Sequence, residues 1–225
     1  MYALRRLPLV LSFVLVTSAQ AQETKRPLSL DDYGAWNRIT GTVLSPDGHW
    51  MAYAHRPNDG DAILFIASLD GDESYEAVNG TGATFSSDGR HVAFLTSPPE
   101  EEADELRSKQ EPVRQSLHVI DLESGGRSED SAVRSFTFDE SGRFLAIHRD
   151  QMDEDAEHEG SDLLLRDLQA DNVLSFGNVA AFAFNESGTH LGYIVDADGR
   201  SGNGLYVASP ADGRVRPVDT GSYQY

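Results

Sequence analysis

The sequence predicts an all-β protein assembled from four copies of one four-stranded unit. The prediction rests on a repeated turn, on a strand signature behind each turn, and on the distance between the copies. Each turn has an apolar or aromatic residue, a polar segment closing on glycine, and an alternating apolar segment, which is typical of two antiparallel strands joined by a tight turn. The copies occupy residues 44–53, 85–94, 138–147 and 184–193.

The glycine is the fixed point of each copy. Gly48, Gly89, Gly142 and Gly188 each follow an aspartate or a serine, whose side chain can bond the turn backbone. Glycine tolerates the positive φ that such a turn requires. Because one turn recurs four times, we interpret these carboxylates as turn formers rather than as metal ligands or acid-base groups.

A second signature follows every turn, and it predicts the third strand of each unit. It is a short alternating segment that ends in an acidic or glycine turn, and a fourth strand follows it, as in residues 214–218. The four signatures occupy residues 62–71, 116–125, 162–168 and 204–213.

The spacing of the units selects the architecture. The turn glycines lie 41, 53 and 46 residues apart. A repeat of about 40–50 residues made of four antiparallel strands is the blade of a WD40-like β-propeller. A β-sandwich is the main structural alternative, but it does not predict the same turn sequence four times. We therefore predict a partial β-propeller of about four blades over residues 41–225.

Two acidic insertions, each between the second and third strands of a unit, explain the longer spacings. Residues 97–109 open with prolines and continue in helix formers, with three glutamates at 100–102, which predicts a short solvated helix. Residues 148–159 carry six carboxylates and two histidines. A cation site is the alternative there, but the carboxylates do not follow the spacing of a calcium loop. We favour solvated loops for this segment and for residues 196–199.

The chain begins as an export signal, which we assign to residues 1–21. Two arginines precede the apolar run 7–16, and Ala19-Gln20-Ala21 is a small-x-small cleavage site. We expect maturation at Gln22 and export to the periplasm or the extracellular space. The run is too short to cross a bilayer, and no later stretch approaches the roughly 18–20 apolar residues that a spanning helix needs. No membrane span is expected.

Residues 22–40 are predicted to be a linker and a short lead-in helix. Ser29 is in position to cap this helix, and Asp32 takes the place of the capping-box glutamate. Tyr33 and Trp36 lie three residues apart on one helical face. We expect them to pack the helix onto the first sheet, and a cofactor-stacking platform is the alternative.

Composition limits the partners of the chain. Thirty-seven acidic residues against eighteen basic ones give a formal net charge of −19, and cysteine is absent. Binding to a nucleic-acid backbone requires a basic surface, so this balance argues against such a partner. Without cysteine the chain has neither a disulfide framework nor a lipid-attachment site. Composition leaves the oligomeric state open.

The sequence contains none of the common catalytic motifs. It has no Gly-x-Ser-x-Gly elbow, no His-Glu-x-x-His, no Walker loop, no Gly-x-Gly-x-x-Gly fingerprint and no cysteine pair. His49, His91 and His190 lie beside the repeated turns and His118 lies within a strand, so we expect structural or surface roles for them. We therefore assign no catalytic, cofactor-binding or metal-binding residue, and no cofactor.

One ordered set of motifs resembles a known family. The lead-in at 31–36 and the turn at 44–53 are followed by the stretches 160–168, 177–179 and 202–206. In this order they look like the start of exported bacterial serine peptidases of the prolyl oligopeptidase family. The resemblance runs from about residue 29 to the end of the chain.

The resemblance implies a seven- or eight-bladed propeller that covers a C-terminal α/β-hydrolase domain and restricts access to it. In dipeptidyl-peptidase members, a pair of glutamates on a propeller insertion holds the substrate amine. The glutamates at 100–102 invite that comparison, but the motif around them does not match and the role is not carried over. This chain stops at Tyr225, before any hydrolase domain, so no triad residue can be assigned.

We expect a propeller segment truncated before the catalytic domain, whose peptide substrate would bind through that missing domain. Four blades of a larger ring would leave two open faces, which is an aggregation liability. The first alternative is a stand-alone exported propeller that serves as a protein- or ligand-binding scaffold. The second is a small four-bladed ring with a metal in its channel.

Overall fold

The computed structural model describes residues 29–34, 36–153, 155–200 and 202–221. The predicted export signal, residues 1–21, lies outside these ranges, and so does the first part of the predicted linker. None of the helices in the described part of the chain has the length and apolar character needed to cross a bilayer.

The first two units form separate antiparallel sheets of four strands, which we call blades 1 and 2. In each blade the strands pair in chain order. Blade 1 contains β1 (Asn37–Leu44), β2 (Trp50–Pro57), β3 (Ile63–Ser68) and β4 (Ser74–Val78). Blade 2 contains β5 (Gly80–Phe85), β6 (His91–Thr96), β7 (Ser116–Asp121) and β8 (Arg127–Asp130).

The third and fourth units share one seven-stranded sheet, again paired in chain order. Its strands are β9 (Val133–Phe138), β10 (Phe144–Arg149), β11 (Ser161–Asp167), β12 (Asn172–Phe184), β13 (Leu191–Val195), β14 (Gly204–Ala208) and β15 (Val215–Thr220). Strand β12 pairs with β11 through its first part and with β13 through its last part. We call β9–β11 with residues 172–176 blade 3, and residues 179–184 with β13–β15 blade 4. The predicted units are present, but sequence analysis did not predict that one strand would serve two of them.

Each blade is joined to the next by a residue in the left-handed region. Asn79, Ala132 and Asn178 have φ of 52°, 53° and 57°. A left-handed residue turns the chain sharply, so the strand that follows starts a new blade. At the third junction the pairing continues on both sides of Asn178, which is why blades 3 and 4 form one sheet.

The repeated turn is a hydrogen-bonded unit. The side chain three residues before the turn glycine accepts a bond from the backbone N–H five residues further on, as from His91 to Ser86 Oγ at 2.9 Å. In blades 1 and 2 this accepting residue is a serine, and an aspartate stands directly before the glycine. In blade 3 the two residue types change places, and Asp139 accepts from Ser141 Oγ at 2.5 Å. The residues in the accepting position are Ser45, Ser86, Asp139 and Asn185. The same bond therefore persists although the residue type changes.

The turns also pack against one another from blade to blade. A Cβ atom on Gly142 would lie 2.9 Å from Asp88 Oδ1, and one on Gly188 would lie 2.6 Å from Asp139 Oδ2. At Gly48, in the first blade, a Cβ atom would meet nothing within 4 Å. Glycine is thus required at the turns of blades 2 to 4 for two reasons. The backbone φ is positive there, and a side chain would collide with the carboxylate of the preceding blade.

Three clusters of apolar side chains fill the spaces between consecutive blades. The cluster between blades 1 and 2 includes Ala52, Ile66, Val92 and Phe94. The cluster between blades 2 and 3 includes Ala93, Val119, Leu145 and Ile147. The cluster between blades 3 and 4 includes Ala146, Leu165, Leu191 and Tyr193. Successive residues of a strand point to opposite faces. The inner strands β6 and β10 therefore contribute to the clusters on both sides.

The lead-in is shorter than predicted. Only a single 3₁₀ turn, Leu30–Asp32, replaces the expected helix, and Ser29 N–H donates to Asp32 Oδ2 at 2.7 Å. Strand β1 begins at Asn37, so the first blade takes in residues that sequence analysis placed in the lead-in. The bond between Ser29 and Asp32 is the capping interaction that the sequence predicts.

Tyr33 and Trp36 do not pack a helix onto the sheet as expected. Their rings contact each other at a centroid distance of 5.8 Å and remain half-exposed. The lead-in is held to blade 1 by Asn58, whose Nδ2 donates to Tyr33 O at 2.9 Å and whose N–H donates to Trp36 O at 3.1 Å. Hydrogen bonds from the side chain and the backbone of Asn58, not aromatic packing, attach this segment.

Candidate functional site

The loops between the second and third strands of all blades lie at one end of the molecule, which we call the loop rim. Strand direction alternates within each blade, so these loops and the blade junctions share that end. Each long loop starts beside a junction: Ser97 N–H bonds Asn79 O, and Asp196 N–H bonds Asn178 O at 2.8 Å. The loop rim consists of residues 58–62, 97–115, 150–153, 155–160, 196–200 and 202–203. Both acidic insertions therefore extend from one surface.

The first insertion contains the predicted helix. Helix α1 spans Glu100–Ser108, and its first turn carries all three glutamates. Negative charge is favourable at that end of a helix because the unpaired N–H groups carry partial positive charge. Ala103 is the buried residue of α1, whereas the glutamates are exposed to solvent.

Asn79 fastens this insertion to blade 1. Its Nδ2 donates to Asp61 Oδ1 at 2.7 Å and to Pro98 O at 3.2 Å, while its Oδ1 accepts from Ala62 N–H at 3.0 Å. Asp61 Oδ1 also accepts from Glu100 N–H at 2.9 Å, so blade 1 caps the helix of blade 2. The bonds from Asn79 and then Glu100 hold the pKa of the Asp61 carboxyl below its usual value.

Sequence reasoning missed this role of Asn79. The residue directly precedes a strand that begins with glycine, and asparagine is one of the few residue types that enter the left-handed region readily. That combination was the available signal. The bonds across blades could not be inferred, because Asp61 and Glu100 are 39 residues apart in the chain.

A similar arrangement fastens the second insertion to blade 4. Asn203 is fully buried, and its Nδ2 donates to Asp196 Oδ1 at 2.9 Å. Asp196 Oδ2 in turn accepts from Glu159 N–H at 3.0 Å. Ala197 N–H donates to Asn203 Oδ1 at 2.8 Å, which fixes the loop that the sequence predicts at residues 196–199. The two insertions are thus held in opposite directions, one toward blade 1 and the other toward blade 4.

His148 belongs to strand β10 and not to the solvated loop in which sequence analysis placed it. Its side chain is buried, and Nε2 donates to Val179 O at 2.8 Å. Ser161 Oγ lies 3.0 Å from the same nitrogen but donates to Arg149 O at 2.6 Å. A serine nucleophile needs a ring nitrogen free to take its proton. Here that nitrogen is engaged by Val179, so the pair is structural. Burial lowers the pKa of His148.

An open cleft of about 610 Å³ lies between the two insertions. Arg107, Arg114 and Arg134 line it together with Glu111 and Asp150. Guanidinium groups bind carboxylates in a planar, two-pronged geometry. Arg107 already donates to Asp104 Oδ1 at 2.6 Å, so Arg134 is the arginine of this lining that we consider for a peptide carboxylate. Among the described residues, no group of three acidic or histidine side chains is placed to hold a metal ion.

Comparison with known proteins identifies the fold. No family model and no curated protein sequence matches the chain. The β-propeller domain of the Trilobed protease from Pyrococcus furiosus matches with 17% identity and a TM-score of 0.51, over 82% of this chain and 58% of that one. Acylaminoacyl peptidase from Pyrococcus horikoshii matches with 13% identity and a TM-score of 0.49, over 85% of this chain and 34% of that one.

TolB from Acinetobacter baumannii matches with 16% identity and a TM-score of 0.43, over 82% of this chain and 44% of that one. The chain spans 58% of the Trilobed protease propeller and about a third of acylaminoacyl peptidase. The predicted resemblance to the propeller domains of prolyl oligopeptidase-family peptidases is confirmed at the level of the fold. In the residues that the structure describes, the chain forms four β-propeller blades, and the first strand β1 does not pair with the last strand β15.

Proposed function

We propose that this chain is the non-catalytic propeller segment of an exported serine peptidase of the prolyl oligopeptidase family, in which it gates and orients peptide substrates. The observation that carries the proposal is the propeller fold shared with the Trilobed protease. The order of the sequence motifs and the export signal add to it. The chain spans 58% of the Trilobed protease propeller, so the proposal assigns peptidase activity to a longer protein and not to this chain.

In this function the loop rim faces the path of the peptide. The two insertions border that path on opposite sides of the cleft, since one is fastened to blade 1 and the other to blade 4. Arg134 of the cleft between them binds a carboxylate of the peptide in this proposal. The chemistry of bond cleavage would come from a hydrolase domain encoded downstream.

The first experiment is to sequence the DNA that follows the codon for Tyr225 in the source genome. The proposal expects further blades and a Gly-x-Ser-x-Gly stretch, in frame or after a single frameshift. A genuine stop followed by an unrelated gene would contradict it. The stand-alone binding scaffold would then become the leading function.

The second experiment tests whether the chain itself lacks a nucleophile. The purified chain is treated with a fluorophosphonate probe, next to a known serine hydrolase as the positive control. No labelling is expected, because the ring nitrogen nearest to Ser161 is engaged by Val179. Labelling that disappears in Ser161→Ala would identify a nucleophile and refute the non-catalytic role.

A further inference from the structure

Blade 1 has one face that no other blade covers in the described part of the chain. Met51 and Tyr53 of β2 and Ile63 and Phe65 of β3 lie on this face and are partly exposed. The Tyr53 and Phe65 rings stack at a centroid distance of 5.4 Å. Ile39, which pairs with the same face, is 65% exposed. We call this surface the aromatic face.

Blade 4 has the opposite open face, which we call the aliphatic face. It contains Gly192 and Ile194 of β13, which pair with Val207 and Leu205 of β14. All four residues are partly exposed. Neither central strand places a charged side chain on this face. The charges on it belong to the outer strand β15, where Arg216 pairs with Val207 and Asp219 pairs with Leu205. A partner seated on the central strands therefore leaves these charges at the edge of the contact.

The contacts inside the chain follow one rule of size. A small residue four positions after the turn glycine of one blade shares a cluster with a large residue five positions after the turn glycine of the next blade. The three pairs are Ala52 with Phe94, Ala93 with Ile147, and Ala146 with Tyr193. Close packing of large against small leaves few voids between the blades.

Each open face carries one residue of such a small-and-large pair, and its partner residue is missing from the described part of the chain. Gly192 holds the small position of blade 4, and Tyr53 holds the large position of blade 1. We propose that the aliphatic face of one copy of this chain binds the aromatic face of a second copy, head to tail, as a fourth repetition of the contact between blades.

A second copy is the partner that these residues favour, because one molecule carries both halves of the contact. Pairing two aromatic faces would place Tyr53 against Tyr53, large against large. Pairing two aliphatic faces would leave Gly192 without a side chain to fill the space beside it. Head-to-tail contacts either close into a ring or continue as a chain of molecules. Burial of the apolar faces supplies the favourable free energy.

The test is the molar mass of the purified chain, measured by light scattering over a range of concentrations. The wild type is expected to reach at least twice the mass of one chain. Tyr53→Asp, which blocks the aromatic face, and Ile194→Asp, which blocks the aliphatic face, should each give single chains. Val173→Asp is the matched control, because Val173 is 50% exposed but lies on neither open face.

Mixing the two blocked variants provides the decisive measurement. Each retains the face that the other lacks, so an equimolar mixture should recover a complex of two chains. A wild type that stays monomeric at every concentration would overturn the proposal, and so would an Ile194→Asp variant that still dimerises. Circular dichroism checks that each variant is folded. If Tyr53→Asp loses the β-strand signal, Phe65→Ser is used in its place to block the aromatic face.

This inference does not depend on the proposed function. Further blades encoded downstream would cover the same two faces in a longer product, while the self-association belongs to the 225-residue chain. The DNA sequence therefore decides one proposal, and the molar mass decides the other.

Discussion

The inner and outer blades are built from one repeated unit, yet their central strands are buried differently. In β10 of blade 3, five consecutive residues, Phe144–His148, are buried. In β2 of blade 1, burial alternates, so that Ala52 is buried and Met51 and Tyr53 are partly exposed. An inner strand has a blade on each side, whereas in the described part of the chain β2 has a blade on one side only. Whether one face or both faces of a central strand are buried therefore depends on the number of blades packed against it, and not on the blade to which the strand belongs.

The largest difference in stability is expected at the position three residues after the turn glycine, which is Leu145 in the inner blade 3 and Met51 in the outer blade 1. Leu145→Ala should cost about 2–5 kcal/mol, because it empties a fully buried site between blades 2 and 3. Met51→Ala removes the equivalent side chain from the open aromatic face and should cost about 1 kcal/mol. Urea unfolding followed by tryptophan fluorescence measures both losses. Both variants are compared in the Ile194→Asp background, which blocks the aliphatic face and so leaves the aromatic face open. Equal losses in that background would contradict the comparison.

The turn acceptors should show a smaller contrast of the same kind. Ser86 is fully buried and accepts from His91 N–H, so Ser86→Ala leaves a buried donor unpaired at a cost of about 1–3 kcal/mol. Asn185 has the same place in blade 4 but is exposed, and water can replace its bond to His190 N–H. Asn185→Ala should therefore cost less. Urea unfolding measures the free energy of unfolding of both variants. A larger loss of stability for Asn185→Ala than for Ser86→Ala would contradict the comparison.

The turn glycines separate backbone strain from contacts between blades. Gly48 and Gly89 have φ of 76° and 72°, so alanine at either one should cost about 1–2 kcal/mol in strain. At Gly89 the new Cβ atom would also meet the Asp47 carboxylate of blade 1, while nothing lies near Gly48. Thermal unfolding should show the lower midpoint for Gly89→Ala. Identical midpoints would show that the Asp47 side chain moves aside freely.

The smallest expected effect is on pH dependence. Burial lowers the pKa of His148, although the Val179 carbonyl and Asp150 act against the shift and Arg134 adds to it. The unfolded chain takes up a proton below pH about 6.5 that the folded chain resists, so the free energy of unfolding should fall as the pH drops from 7 to 5. His148→Gln should weaken this dependence, although His91, whose pKa burial also lowers, retains part of it.

His49 in blade 1 provides the control. It is exposed, and its pairing with Asp70 raises its pKa, so its contribution to stability is present below pH about 6.5 and is lost as the pH rises through the folded pKa. His49→Gln should alter the pH profile in the opposite sense to His148→Gln. Urea unfolding at several pH values measures both variants. The same sign of change in both would contradict the assignment of these histidines.

Much of the fold could be predicted because its signals are local. The positive φ of Gly89 and the bond from His91 to Ser86 both form within one hairpin, so a few residues determine them. The lead-in forms a short 3₁₀ turn with the Ser29 and Asp32 capping interaction that the sequence predicts. Its attachment to blade 1 could not be predicted, because Asn58 lies 25 residues from Tyr33, whose carbonyl accepts its bond. His148 was placed in the acidic loop because its position in the sequence does not show that Val179, 31 residues away, accepts its bond.

The sequence by itself determined the hairpins, the four-stranded unit and the number of units, since turn chemistry and strand alternation act between near neighbours in the chain. The tertiary structure decided which faces are buried and how each insertion is fastened. Asp61 caps the helix of the next blade, and Asp196 binds the loop of the preceding one. Such bonds join residues that are distant in sequence, so they exist only after the blades have packed and their geometry has fixed which polar groups meet.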